Sequence, residues 1–397
     1  MDPESSPFSP GQPVPIELFV GRIAEINRLK GMVESSLKGR FKIGFVVGER
    51  GIGKSSLVSF VRHLSEREKE VAGCHVFLGG VKELHEMVRR AFDRLLKESV
   101  EKAWHSKVRE FFGRHVKEIG LFGVSVALDL SEKELRNLTN DFVPSLAQLM
   151  SQLKEDRKAV LLVLDDINGL ASSAEFANWL KSIVDEISTQ DRPYYLCLLI
   201  VGLEDRRQSL VDLQPSLARV FEIIDIKPWS DGETREFFEQ SFTAAGAKVT
   251  EDQLRIMVQF SGGLPVLAHE IGDAVWRTSS SLEFDTDEIL AGIFGAAEVI
   301  GRKFLEPQVV RALRSPRYRS ILRKMSNQPI SSIRRADLIK RLTQDEKRVM
   351  DNFLQKMKKI GALTPDEQTG PGGYRFPNHL HALYFYVESQ RAKHENK

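Results

Sequence analysis

The chain has 397 residues, 57 Lys and Arg against 55 Asp and Glu, and a hydrophobic share of 42%. At about 100 to 200 residues per domain this length gives two to four domains, and no apolar run approaches the roughly 20 residues of a membrane span. The two cysteines, Cys74 and Cys197, lie in strand-like apolar runs, which excludes a disulfide framework or a cysteine metal cage and predicts buried thiols.

Residues 1–16 open as MDPESSPFSPGQPVP, acidic and rich in Pro and Ser with no signal-peptide core. They are expected to form a disordered leader on a cytoplasmic protein. Phe19-Val20-Gly21-Arg22 then precedes Ile23, Ile26, Leu29 and Val33, which recur at helical spacing. Next comes an apolar strand, Ile43 to Val47, followed by Gly48-Glu49-Arg50-Gly51-Ile52-Gly53-Lys54-Ser55-Ser56 and a helical stretch to Leu64. The loop contains a complete GxxxxGK[ST] pattern in its required strand-to-helix setting.

Each part of that loop has a physical task. Its glycines let successive backbone N–H groups turn toward phosphate oxygens, and the following helix adds the positive end of its dipole. Lys54 is expected to reach the β and γ phosphates, and Ser55 to help hold Mg2+. The NKxD sequence by which GTPases read guanine is absent from the chain, so ATP is the expected nucleotide.

Further along, Cys74 to Leu78 is a short strand candidate, and Val88 to Phe112 reads as a charged helix. Gly123 to Leu130 alternates apolar and polar residues, the period of a half-buried strand or hairpin at an edge. Ser131 with Glu134 forms a capping-box pattern before a helix carrying Leu146, Leu149 and Leu153. Val160 to Leu164 is a strand buried on both faces and ends in Asp165-Asp166. Asp165 is the expected Mg2+ ligand, direct or through water, and Asp166 is placed to orient or deprotonate the attacking water. Tyr194 to Val201 and Phe221 to Ile226 complete an alternation of strands and helices, the pattern of a parallel sheet covered on both faces. Residues 17–228 are accordingly read as the nucleotide-binding core.

Residues 229–300 are helical, starting at Ser230 with Glu233 and interrupted by the SGGLP of Ser261 to Pro265. Residues 301–397 form a basic module with 21 Lys and Arg against 9 Asp and Glu, a net +12, whereas residues 1–300 carry a net −10. Such asymmetry is the electrostatic footprint of a nucleic-acid-binding module, the alternative being a solvated basic surface facing the acidic body. The helices Arg317 to Met325, Arg335 to Leu342 and Thr343 to Ile360, then a Gly/Pro-rich wing to Pro377, follow the order of a winged helix-turn-helix. Lys347, Arg348, Lys356 and Lys359 on the third helix, with Arg334, Arg335 and Arg375, are the candidate contacts to double-stranded DNA. A winged helix that docks protein is the competing reading.

With FVGR at Phe19 to Arg22, GERGIGKSS, VLLVLDD at Val160 to Asp166, GLP at Gly263 to Pro265 and the wing, the chain resembles the AAA+ and STAND branches of P-loop ATPases. The likeness is greatest to the origin-recognition and initiator-like type. The resemblance implies an α/β fold: an AAA+-like parallel sheet, a helical lid and a C-terminal winged helix. It also implies that Val20, Gly21 and Pro265 line the adenine, with Arg22 structural. Arg219 would enter a neighbouring subunit's site as an arginine finger, so a homo-oligomer sharing ATP sites is expected.

The chain departs from that pattern at two places. Asp166 stands where AAA+ enzymes usually carry the longer Glu, and Gly202-Leu203-Glu204 follows the Tyr194 to Val201 strand where a polar γ-phosphate sensor is usual. Slow turnover is therefore expected. The combined expectation is an oligomerising, DNA-binding ATP switch resembling replication initiators or mobile-element regulators. The alternatives are a STAND-type signalling or defence ATPase and a nucleotide-locked scaffold.

Overall fold

A computed structural model describes residues 6–12, 19–68, 70–100, 102–119, 125–279, 281–328 and 332–394. The chain divides into two compact units, one of Arg22–Lys227 and one of Met1–Gly21 with Pro228–Lys397.

The first unit is built on five parallel strands, β1 (Lys42–Val47), β2 (Val71–Phe77), β5 (Ala159–Asp165), β6 (Leu196–Val201) and β7 (Glu222–Asp225), in the order β2-β5-β6-β1-β7. The interior strands are continuous apolar runs because helices cover both faces of a parallel sheet and leave no wet side. Phe45, Leu162, Leu198 and Ile200 sit in a core shared with α3 (Leu84–Ser99), α6 (Phe142–Leu153) and α7 (Ala174–Ser188). Both cysteines are buried there, and burial pushes the Cys197 thiol up to about 12. The strand order puts β6 between the phosphate-loop strand β1 and the Asp165 strand β5, so both loops open at the same carboxyl edge of the sheet, where such folds take ligands.

Two local expectations change. The run read as one helix from Val88 to Phe112 breaks into α3 and α4 (His105–Phe112), with Trp104 buried in the turn between them. The alternating segment after Gly123 is a separate two-stranded hairpin, β4 (Ser125–Leu128) on β3 (Val116–Ile119), and it is not part of the main sheet. Gly123 and Val124 lie outside the described residues.

The second unit is helical, with a core running from α9 (Asp231–Ala244), α10 (Glu251–Ser261) and α11 (Pro265–Trp276) to α16 (His379–His394). The expected boundary at residues 300/301 falls inside a continuous helical run. Here α12 (Thr286–Ile300) passes directly into the π-helical turns of Gly301–Val310, and Ile300 shares one core with Leu305, Tyr384 and Phe385. The lid-like helices and the basic module are thus one packed body. Its last third comprises α13 (Pro316–Met325), α14 (Arg335–Arg341), α15 (Gln344–Lys359) and an antiparallel sheet of β8 (Ser332–Arg334), β10 (Gly373–Arg375) and β9 (Thr364–Pro365), in that order.

The leader expectation needs correction where residues 6–12 are described. Phe8 is only 4% exposed, packed edge-on against Phe237 at 5.8 Å and Phe242 at 5.0 Å, and the Ser9 N–H donates to His269 Nδ1 at 3.1 Å. Gly272 opens the socket, since a Cβ there would fall 2.3 Å from the Phe8 ring. A polar, Pro-rich composition masked one aromatic anchor, and burial of its ring supplies the free energy that orders the segment.

Candidate nucleotide site

The loop after β1 has the backbone its glycines were expected to permit, with φ of 152° at Gly48, 77° at Gly51 and 92° at Gly53. Side chains other than glycine adopt such angles at a cost. Helix α2 (Lys54–Glu68) starts directly on the loop, so Lys54, Ser55 and Ser56 occupy its first turn, where unpaired N–H groups and the helix dipole favour an anion. Glu49, Arg50 and Ile52 lie in the loop itself, and Ile52 is buried under it.

The Lys54 amine donates to the Gly48 carbonyl at 2.9 Å and the Glu49 carbonyl at 2.8 Å. Burial lowers its pKa, while the Asp165 and Asp166 carboxylates act in the opposite direction. Lys54, Asp165 and Asp166, far apart in sequence, therefore share one electrostatic site. Asp165 closes β5 and is 3% exposed, with its Oδ2 2.9 Å from His75 Nε2. Asp166 is exposed and left-handed at φ 59°, accepting a hydrogen bond from the Asn168 amide. A non-glycine residue held in that region stores strain of order 1–3 kcal/mol, a feature that clusters at functional sites.

These donors fit Mg2+ in the way P-loop sites hold it. That ion takes one or two protein ligands and completes its shell with phosphates and water. Ser55 in the first turn of α2 and Asp165 at the end of β5 are the residues that would hold it, and no group of three His, Cys, Asp or Glu side chains among the described residues forms a dedicated metal cage.

Around this centre, Gly202 follows β6 with Ile167 and Phe45 as its neighbours, an apolar setting without a polar sensor at that position. Arg219 ends the short turn Pro215–Arg219 before β7 and is exposed. Arg207 is instead tied to Glu204 at 2.5 Å. Arg22 is buried, and its Nη2 donates to the Ile52 carbonyl at 3.2 Å while Nη1 donates to the Lys227 carbonyl. That is the structural role the resemblance implied.

Val20, Gly21 and Pro265 belong to the second unit. Val20 is buried in its core, Gly21 lies against Glu233, and Pro265 starts α11 behind Gly263, whose carbonyl accepts from the Trp229 N–H at 2.8 Å. Among the basic residues, Arg334, Lys347, Lys359 and Arg375 are exposed and Lys356 is half-buried. Arg335 and Arg348 are exposed too, but paired with Asp351 at 3.0 Å and Asp345 at 3.6 Å. Sequence reasoning overlooked His75. A lone imidazole inside the apolar run Val71–Phe77 was the available signal, because a buried polar side chain needs a partner.

Comparison with known proteins agrees with this geometry. The AAA ATPase domain family matches residues 18–201. No curated protein matches the chain. Among solved structures, a Walker-type ATPase of Pyrococcus abyssi is similar at TM-score 0.55 and 16% identity, covering 92% of this chain and 96% of that one. The ORC2 protein of Aeropyrum pernix, solved in ADPNP–ADP complexes, is similar at TM-score 0.57 and 13% identity, covering 95% and 96%. At these identities the likeness is one of fold. With its phosphate loop, its intervening strand and its aspartates in these places, residues 18–201 match the AAA ATPase domain family, and the chain's fold is similar to that of the ORC2 protein and the Walker-type ATPase.

Proposed function

We propose that the chain is a cytoplasmic, ATP-binding molecular switch that assembles with copies of itself and engages double-stranded DNA, turning ATP over slowly. The observation that carries this reading is that the phosphate loop after β1 and the Asp165-Asp166 end of β5 open at one carboxyl edge of the sheet, where both carboxylates act on the Lys54 amine. In this assignment Lys54 binds the β and γ phosphates, Ser55 and Asp165 hold Mg2+, and Asp166 orients water. Arg219 acts on a neighbouring subunit's nucleotide, for which its exposure is suited. The apolar surroundings of Gly202 and the short side chain of Asp166 support slow hydrolysis.

The DNA assignment draws on the net +12 of residues 301–397 and on the succession α13, β8, α14, α15, β9, β10, an order that supports reading this segment as a winged helix-turn-helix with α15 as its recognition helix. One observation favours a protein-docking winged helix instead. Asp345 and Asp351 on α15 neutralise Arg348 and Arg335.

The test is oligomer size and ATP turnover of the full chain with and without duplex DNA, beside Lys54→Ala and Asp166→Ala. DNA-stimulated turnover, lost in both variants, is the expected result. Turnover and assembly indifferent to DNA would favour the protein-docking reading.

A further inference from the structure

We propose that His75 is a positioning residue that orients Asp165 for the Mg2+ of the bound nucleotide, an inference that rests on the nucleotide reading above. Parallel pairing of β2 with β5 sets His75 opposite Val163 and Phe77 opposite Asp165. His75 and Asp165 therefore lie on the same face of the pair, two residues out of register. The resulting Nε2 to Oδ2 distance is 2.9 Å, and each residue is 3% exposed.

That pair is unusual for where it sits. The rest of Val71–Phe77 and Ala159–Asp165 is apolar apart from Gly73, and a buried imidazole lowers stability unless its nitrogens find partners. A carboxylate can only accept, so Nε2 carries the hydrogen and occupies Oδ2. Oδ1 is then the oxygen left for the metal or its water, and the carboxyl plane cannot rotate without breaking the bond to His75. The imidazole is itself fixed by stacking on Phe77, at 4.4 Å between centroids and 24° between planes. The neighbouring Asp166 is held independently, by Asn168 and its left-handed backbone. The two adjacent carboxylates thus have separate supports, which lets one serve the metal and the other the water.

Hydrogen-bond partners of this kind typically set metal affinity, and their loss weakens it by about 10- to 100-fold. The experiment is a Mg2+ titration of the full chain with a fluorescent ATP analogue, comparing wild type, His75→Leu, His75→Gln and Lys54→Ala, with a parallel series in EDTA. His75→Leu keeps the volume and removes the donor. His75→Gln places an amide N–H near the original Nε2. The expected result is unchanged metal-free binding in both His75 variants, a Mg2+ requirement raised about 10- to 100-fold in His75→Leu, and restoration in His75→Gln. A purely structural role would lower metal-free and metal-dependent binding together and would overturn the proposal. So would a His75→Leu protein with the wild-type Mg2+ dependence. If wild type binds no nucleotide in a manner sensitive to Lys54→Ala, the nucleotide reading fails and this inference falls with it.

Discussion

The Arg22 guanidinium reaches the Ile52 carbonyl at 3.2 Å, so the residue that starts the first helix also braces the phosphate loop from below. It does so from a left-handed backbone, φ 62°, directly before α1 (Ile23–Leu37). A charged hydrogen bond to a buried carbonyl contributes about 1.5–3 kcal/mol, whereas a left-handed non-glycine residue costs about 1–2 kcal/mol. Arg22→Ala should therefore weaken nucleotide binding roughly tenfold and lower stability by about 1.5–3 kcal/mol. Arg22→Gly, which removes the same bonds but relieves the backbone, should be about 1 kcal/mol more stable than Arg22→Ala. Denaturant unfolding of the two variants decides it, and equal stability would show that the backbone at residue 22 is not strained.

Phe8 is the second anchor with a measurable cost. Truncating a buried Phe to Ala typically loses 3–5 kcal/mol, so Phe8→Ala should destabilise the second unit by about that amount. Gly272→Ala, which places a methyl where the Phe8 ring lies, should reproduce the effect. Calorimetry in which both variants melt like wild type would mean that residues 6–12 contribute nothing to folding.

Acid should destabilise the second unit through this same socket. Burial pushes the His269 pKa down to about 4 against an opposing contribution from Asp273. The neutral ring is favoured in the folded state, so this stability is fully present above the ordinary histidine pKa of about 6.5 and is lost as pH falls toward 4. The loss amounts to about 3 kcal/mol, and His381, also pushed down to about 4 by burial, adds to it in the same window. Unfolding free energy measured at steps from pH 7 to pH 4.5 should fall, and His269→Phe should flatten part of the slope. A flat wild-type profile would contradict the assignment.

For catalysis in trans, Arg219→Ala should bind ATP as wild type does yet lose turnover by about 1,000-fold or more, the usual contribution of an arginine finger. Mixing it with the Lys54→Ala protein should restore part of the activity, because each supplies what the other lacks. Undiminished turnover by Arg219→Ala alone would remove the finger.

DNA binding should separate free from paired cations. Each phosphate contact contributes about 0.9 to the slope of log affinity against log salt. Lys347→Gln and Lys359→Gln should each reduce that slope by about this much. Arg335→Gln should change it less, since Asp351 already holds the guanidinium. Affinity independent of salt in wild type would transfer the basic module to the protein-docking reading.

Much of the local architecture was legible in the chain itself. The capping boxes at Ser131/Glu134 and Ser230/Glu233 are both formed, because such a box needs only residues within one turn of each other. Two more, at Thr250/Gln253 and Asp285/Glu288, follow the same rule and were overlooked. The break between α3 and α4 was harder to see. Charged residues continue through it, and the helix stops where Trp104 turns into the core, a choice made by packing.

Determined by sequence alone were the phosphate loop, the buried strands and the Asp165-Asp166 terminus, since each depends on neighbours in the chain and on a short repeat of apolar residues. Tertiary structure decided which distant groups meet. His75 and Asp165 are 90 residues apart and joined only by the β2–β5 register. Phe8 finds His269 and Gly272 across some 260 residues. Contacts of that range form because burying apolar surface draws strands and helices together, and no local pattern records which polar or aromatic side chain will then lie opposite another.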